Sequence, residues 1–288
     1  MNLQLLLTGI SMGVVYGFIA MGMVLIYRAV GVVNFAQGDF LMLGGFFYYA
    51  ISEAFQLNPW ISLLITTLLI GLSGIVFQYI SYWPLRNAQD KAVVVSTLGA
   101  SIVLRELTKI IWGATPLATR PLVAGTVKVG PAVMQWQYLI IIALAIVVVA
   151  FIYILLEKTL LGNIMQATAQ DQYAASLMGI PVGLAIAITF FFSMLVTGLS
   201  GVLLSPIFFV TSTMGVTSGV MAFAAVVIGG FGSIPGAIIG GLLIGLVEIF
   251  GGTYISSIYK DTIVFLVLIV SLLIRPKGIF SEKTAEKA

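Results

Sequence analysis

Residues 137–156 are an almost unbroken run of Ile, Leu, Val and Ala with no charged side chain. A helix rises about 1.5 Å per residue, so such a run spans the ~30 Å hydrocarbon core of a bilayer. Residues 3–27, 60–82 and 183–204 are built the same way, and shorter apolar stretches lie at 40–51, 216–228, 234–250 and 262–274. Residues 92–113 are less apolar and carry Arg105, Glu106 and Lys109, whose spacing suits a structural ion cluster near an interface. The pattern predicts an all-α polytopic membrane protein with about eight transmembrane helices, some of them short or broken. Composition agrees: 60% of residues are hydrophobic, 8% are charged and the mean hydropathy is +1.16, whereas a soluble domain carries about 25% charged residues. The formal charge of +3 resides in short loops beside the spans and forms no basic stripe. It therefore reads as a topology signal and not as a nucleic-acid surface. The first residues lack a basic leader and continue apolar, so they are expected to be the first span and not a cleaved signal.

The longest polar interruption between two unmistakable spans is 157–181, EKTLLGNIMQATAQDQYAASLMGIP. Met165, Thr168, Gln172 and Ala175 fall at helical spacing, and Gly179 followed by Pro181 supplies a stop, so one short Ala-rich helix outside the bilayer is expected. Such a helix suits contact with another protein; a connector lying at the lipid headgroups is the alternative. Placing Arg28, Arg86, Lys91, Lys158, Arg275, Lys277, Lys283 and Lys287 in the cytoplasm leaves Arg120, Lys128 and Lys260 outside. That bias puts the 157–181 loop and the polar tail 281–288 inside and the N-terminus outside.

Gly9, Gly13 and Gly17 recur every fourth residue in the first span, and Gly232, Gly236 and Gly240 repeat the pattern later. Both stripes are expected to pack helices closely, because in lipid it is packing that holds helices together. Asn34, Gln37 and Asp39 stand between two apolar stretches with too little polar length for a free loop. Such groups are tolerated at depth where protein or a water-filled cavity surrounds them, so a broken or re-entrant element lining a path is expected; a plain cytoplasmic turn is the alternative. The glycine-rich 229–236 joins two segments each marginal for a full crossing, which suggests a helical hairpin reaching part-way. Residues 114–136 are punctuated by Pro and Gly and alternate in character, as a small β-hairpin outside the bilayer would.

The chain has no Cys and no His, which removes thiol chemistry, Cys or His metal sites and any Ser-His-Asp arrangement. It has no phosphate-binding loop and no HExxH, so it is not expected to be an enzyme or to hydrolyse ATP itself. Asp39 and Glu248 are the candidate intramembrane acids, and an ion-coupled carrier would use such a group. A channel is the remaining class.

Five separated motifs carry a resemblance: GISMGVVYGFIAMGMVLIYR at 9–28, NFAQGD at 34–39, AASLMGI at 174–180, AFAAVVIGGFGSIPGAIIGG at 222–241 and RPKGIF at 275–280. Together, over 9–280, they resemble the LivH-type permease subunits of the branched-chain amino acid ABC importers. The coupling helix of such permeases has the pattern Glu-Ala-Ala, three residues, Gly; here Tyr173 occupies the Glu place while Ala174, Ala175 and Gly179 match. The resemblance implies one transmembrane permease domain over 1–280, with 157–181 as its cytoplasmic coupling loop, in the bacterial cytoplasmic (inner) membrane. It implies translocation of branched-chain or related neutral amino acids by alternating access, Asn34, Gln37 and Asp39 lying near the path; related permeases for urea or amides would look alike. It also implies partners: a paralogous second permease, two ATP-binding subunits that use ATP and Mg, and a periplasmic substrate-binding protein. No cofactor is expected on this chain, and no nucleic acid.

Overall fold

The computed structural model describes residues 2–130, 132–276 and 278–280. Lys277 and the expected tail 281–288, with Lys283 and Lys287, lie outside the described residues. The helices are α1 (Asn2–Val30), α2 (Gln37–Tyr49), α3 (Pro59–Phe77), α4 (Asp90–Trp112), α5 (Trp136–Lys158), α6 (Leu160–Gln170), α7 (Gln172–Leu177), α8 (Val182–Leu204), α9 (Met214–Gly229), α10 (Ile234–Tyr254) and α11 (Lys260–Ile274). A π-turn, Ala50–Ala54, lengthens α2, and another, Gln78–Tyr82, lengthens α3. The expected hairpin is present as strands β1 (Thr126–Val129) and β2 (Ala132–Gln135), antiparallel with Thr126 opposite Gln135.

Five helices, α1, extended α3, α5, α8 and α10, are long and apolar enough to cross a membrane by themselves. α2, α4, α9 and α11 are shorter or less apolar helices, in keeping with about eight membrane helices of which some are short or broken. The ends of the described chain fall on opposite faces of the bundle. On one face Tyr254 at the end of α10 hydrogen-bonds Asn2 (2.6 Å), and Gly130 of the hairpin turn meets Leu3. On the other, beside α6 and α7, the amides of Ile279 and Phe280 donate to the carbonyls of Ile228 and Gly229, both at 2.9 Å. The last of the five motifs thus satisfies carbonyls that the end of α9 would leave bare.

α1 is the centre. Of its most apolar stretch 94% is buried, against 22% for α5, which faces outward. Its glycines explain how it can be surrounded. A Cβ on Gly13 would lie 2.7 Å from Leu242 Cα, and one on Gly17 3.4 Å from Ile238 Cα, so the backbones of α1 and α10 run in direct contact. Gly236 and Gly240 make a second such seam, against Gly229 and Ala225 of α9. Gly232 does not belong to it. Nothing lies within 4 Å of where its Cβ would stand, and its φ of +91° makes it a turn residue between α9 and α10, where a left-handed backbone excludes most side chains.

Two helices are interrupted in opposite senses. α1 breaks at 31–36 and restarts as α2; α8 breaks at 205–213 and restarts as α9. The two restarts touch at Gly38 and Gly215, where a Cβ on either would strike the other's backbone. Val210 in the second break exchanges both backbone hydrogen bonds with Leu117 (3.0 and 2.8 Å), so the loop before the hairpin closes over it. Parts of both breaks, Asn34 and Ala36 in the first and Ser205 and Val210 in the second, are thereby buried against protein.

Candidate translocation groove and coupling surface

The polar residues of the first break separate into two roles. Asn34 accepts the Ala36 amide (3.0 Å) and donates to Gln37 (3.2 Å). Gln37 in turn donates to Ser193 (3.0 Å) and Thr197 (2.6 Å) of α8, and Ser193 donates to the Gly22 carbonyl (2.8 Å). Asn34 and Gln37 are fully enclosed by these partners. They brace the break against α1 and α8.

Asp39 points the other way, into a groove of about 370 Å³ between α1, α2, α4 and α9. Its side chain is 3% exposed, and its nearest charge is Arg105 of α4, with Nε 3.7 Å from Oδ1. The Oδ1 atom has no hydrogen-bond partner. Arg105 donates to the carbonyl and hydroxyl of Ser101, both at 3.3 Å, and Ser101 lines the same groove. The expected Arg105–Glu106–Lys109 cluster is therefore split: Glu106 and Lys109 pair with each other at 2.6 Å on the exposed side, while Arg105 turns to Asp39. Sequence reasoning missed Arg105 because one-dimensional spacing pairs it with its own helix. Phe35, Val216, Val220 and Phe223 form apolar walls of the groove.

Glu248, the other intramembrane acid, is fully engaged. It accepts from Tyr16 (2.6 Å) and from Lys260 (2.6 Å), tying α10 to α1 and α11.

The segment 157–181 is two helices and not one. Asp171 leaves the helical region (φ −156°, ψ 109°), ending α6, and its Oδ1 accepts the amides of Tyr173 (2.8 Å) and Ala174 (3.0 Å), capping α7. Met165 and Thr168 of α6 and Ala175 of α7 face the bundle. Tyr173, Leu177 and Met178 face away from it, 74%, 72% and 83% exposed, with Ala174 beside them. Ala175, expected as a contact for a partner, is buried against the bundle in this chain. Gly179 closes α7: at φ +81° its amide donates to Ser176 and that of Ile180 donates to Ala175, both at 3.1 Å, the arrangement of a Schellman cap. Gly179→Ala is expected to cost about 1 kcal/mol at this cap. Faster amide exchange confined to 172–178 would register the loss, and unchanged exchange would show that the left-handed residue does not hold the helix.

α7 is tied to the centre of the bundle by Gln172, whose Nε2 donates to the Ala29 carbonyl near the end of α1 (2.8 Å). Beneath α6 a cavity of about 490 Å³ reaches Arg28, Met165, Gln170 and the α9–α10 turn at Phe231. The 157–181 segment and the first break thus meet at one short piece of chain, Ala29 to Asn34.

A multi-pass bundle with interrupted helices, a charged groove at depth and a capped helix presenting apolar side chains outside it defines a membrane permease. The family described as branched-chain amino acid transport system / permease component matches residues 5–272. The high-affinity branched-chain amino acid transport system permease protein LivH of Escherichia coli K12 is 32% identical over 302 residues, covering 99% of this chain and 97% of that protein. The corresponding protein BraD of Pseudomonas aeruginosa is 30% identical over 299 residues, covering 99% and 97%. Among solved structures, PsaBC from Streptococcus pneumoniae in complex with Fab superposes with a TM-score of 0.52 over 96% of this chain and 92% of that one, at 18% identity, a likeness of fold alone. This chain belongs to the family of permease components of branched-chain amino acid transport systems. It is an ABC importer permease of the bacterial inner membrane and works with partner subunits.

Proposed function

We propose that this chain carries branched-chain or closely related neutral amino acids into the cytoplasm as half of a permease pair, beside a paralogous second permease. Two separate ATP-binding subunits, with Mg, supply the energy, and a periplasmic binding protein delivers the substrate; this chain holds no cofactor. The α6–α7 face is the cytoplasmic one and 1–280 act as one transmembrane domain. The observation that carries this reading is the α7 surface: Tyr173, Leu177 and Met178 present largely exposed apolar side chains on a face turned away from the described bundle, as a docking surface for a partner does. Closure of the ATP-binding subunits pushes α7, Gln172 passes the shift to Ala29, and the break at 31–36 lets α2 and Asp39 move against α4 and α9.

An ion-coupled carrier is less well supported, because both intramembrane acids already face a cation or donor of the chain: Glu248 accepts from Tyr16 and Lys260, and Asp39 pairs with Arg105. The deciding experiment purifies the tagged chain with whatever accompanies it and measures ATP hydrolysis in lipid discs. The expected result is a second permease and two ATP-binding proteins, with hydrolysis stimulated by a leucine-loaded binding protein. A chain that purifies alone and moves solute in liposomes overturns the proposal; stimulation by urea or an amide and not by leucine overturns its substrate class.

A further inference from the structure

We infer that Asp39 and Arg105 form a subsite within the permease for the charged backbone of the transported amino acid, Asp39 receiving the ammonium group and Arg105 the carboxylate. The inference rests on the amino-acid function proposed above. Two opposite charges stand in one groove of about 370 Å³, a volume within the range of small-molecule sites. They form an ion pair without a hydrogen bond: Arg105 Nε and Asp39 Oδ1 are 3.7 Å apart, beyond hydrogen-bond length, and that oxygen has no hydrogen-bond partner although its side chain is only 3% exposed. A buried carboxylate oxygen without a donor costs free energy comparable to a lost hydrogen bond, and more for a charge. The Arg105 guanidinium hydrogen-bonds Ser101, which lines the same groove, and stays 28% exposed.

The chemistry that fits is a zwitterion. A solute with an ammonium and a carboxylate on one carbon gives each protein charge an opposite partner and gives Oδ1 its missing donor. An uncharged amide or urea offers neither full charge, and an amine or a carboxylic acid alone satisfies one side and leaves the other. The aliphatic side chain of the solute then has Phe35, Val216, Val220 and Phe223 to lie against. A groove carrying two charges at this depth also cannot face lipid without a cost of several kcal/mol, so it opens onto a water-filled path or a partner helix. Asp39 sits directly after the break, so movement of α2 relative to α4 changes the Asp39–Arg105 separation and with it the fit.

The test uses the complete importer with its binding protein in proteoliposomes and measures leucine uptake together with binding-protein-stimulated ATP hydrolysis. Asp39→Asn and Arg105→Gln are each expected to lower leucine uptake at least about tenfold, while the complex still assembles. The doubly exchanged Asp39→Arg, Arg105→Asp importer keeps an ion pair but reverses its polarity towards the substrate, and is expected not to recover uptake; recovery would make the pair a structural tie and overturn the subsite. Asp39→Glu, which keeps the charge and displaces it by one methylene, serves if the neutral variants fail to assemble: it is expected to slow uptake severalfold, and a wild-type rate overturns the subsite. Absence of branched-chain amino acid uptake by the unmodified importer overturns the proposed function and the subsite with it. Uptake by the unmodified importer that is equally fast in all the variants overturns the subsite alone.

Discussion

Gly245→Leu is expected to leave almost no correctly folded protein in the membrane, whereas Gly99→Leu is tolerated. A Cβ at Gly245 falls on the backbone nitrogen and Cα of Gly13, and its own helix is pressed there by a contact that repeats at Gly241 with Gly17 and at Gly9 with Leu246. The obstacle is backbone, so no rotamer change removes it. A larger residue separates α1 from α10 along the whole seam. Insertion of extra volume into a packed core typically costs 1–3 kcal/mol where side chains can yield; here they cannot, and a loss on the order of 3 kcal/mol or more removes much of the stability of an ordinary domain. Lipid offers no hydrophobic drive that would bring the helices back together. Gly99, on α4, has nothing within 4 Å of its Cβ position. Size-exclusion profiles of fluorescently tagged variants separate the two outcomes: a monodisperse Gly245→Leu protein in wild-type yield would refute the seam.

Substitution of Asp for Leu177 and Met178 together is expected to abolish transport while the chain stays as stable as before. Both side chains are largely exposed and leave no cavity behind when changed. If they anchor an ATP-binding subunit, their loss has the size of an interface hot spot, about 2–4 kcal/mol, which corresponds to a ~30- to 1,000-fold weaker association. The measurements are co-purification of the ATP-binding subunits, uptake and thermal stability of the isolated chain. Ala174→Trp is expected to follow the same pattern because Ala174 is exposed. Ala175→Trp must differ, since it forces a large ring against the bundle and should lower the stability of the chain itself. Full uptake with both α7 leucine and methionine replaced would remove the docking surface from this face.

The Ala pair at 174 and 175 shows how much a motif conveys and where it stops. The sequence predicted a compact helix with small residues ended at Gly179, and α7 is that helix, with Gly179 as its left-handed cap. It did not show that Asp171 divides 157–181 in two. The helical spacing of Met165, Thr168, Gln172 and Ala175 continues across the division, and Asp171, with extended backbone and its side chain turned onto the amides of Tyr173 and Ala174, interrupts it. Neighbouring alanines are alike in sequence, but the helical turn between them puts one outside and one inside.

The three polar residues of the first break are a second instance. Asn34, Gln37 and Asp39 share composition and depth, and polarity at depth correctly marked them as enclosed. Their division into a brace and a groove depends on where α8 and α4 pass, which involves residues far away in the chain: Ser193 and Thr197 for Gln37, Arg105 for Asp39.

What the sequence determined by itself was the length of the apolar runs, hence an all-α membrane protein; the small-residue stripes, hence close helix crossings; and the motifs, hence the family. These are local properties, readable because each depends on residues near one another in the chain. Only the tertiary structure decided that α1 is the central helix, that Gly232 is a turn residue, and that Asp39 has Arg105 for its neighbour. The physical reason is the solvent. In water the polar face of a helix declares which side is out, but in a bilayer both lipid and protein interior are apolar, so hydropathy records that a helix is embedded without recording which side of it meets protein.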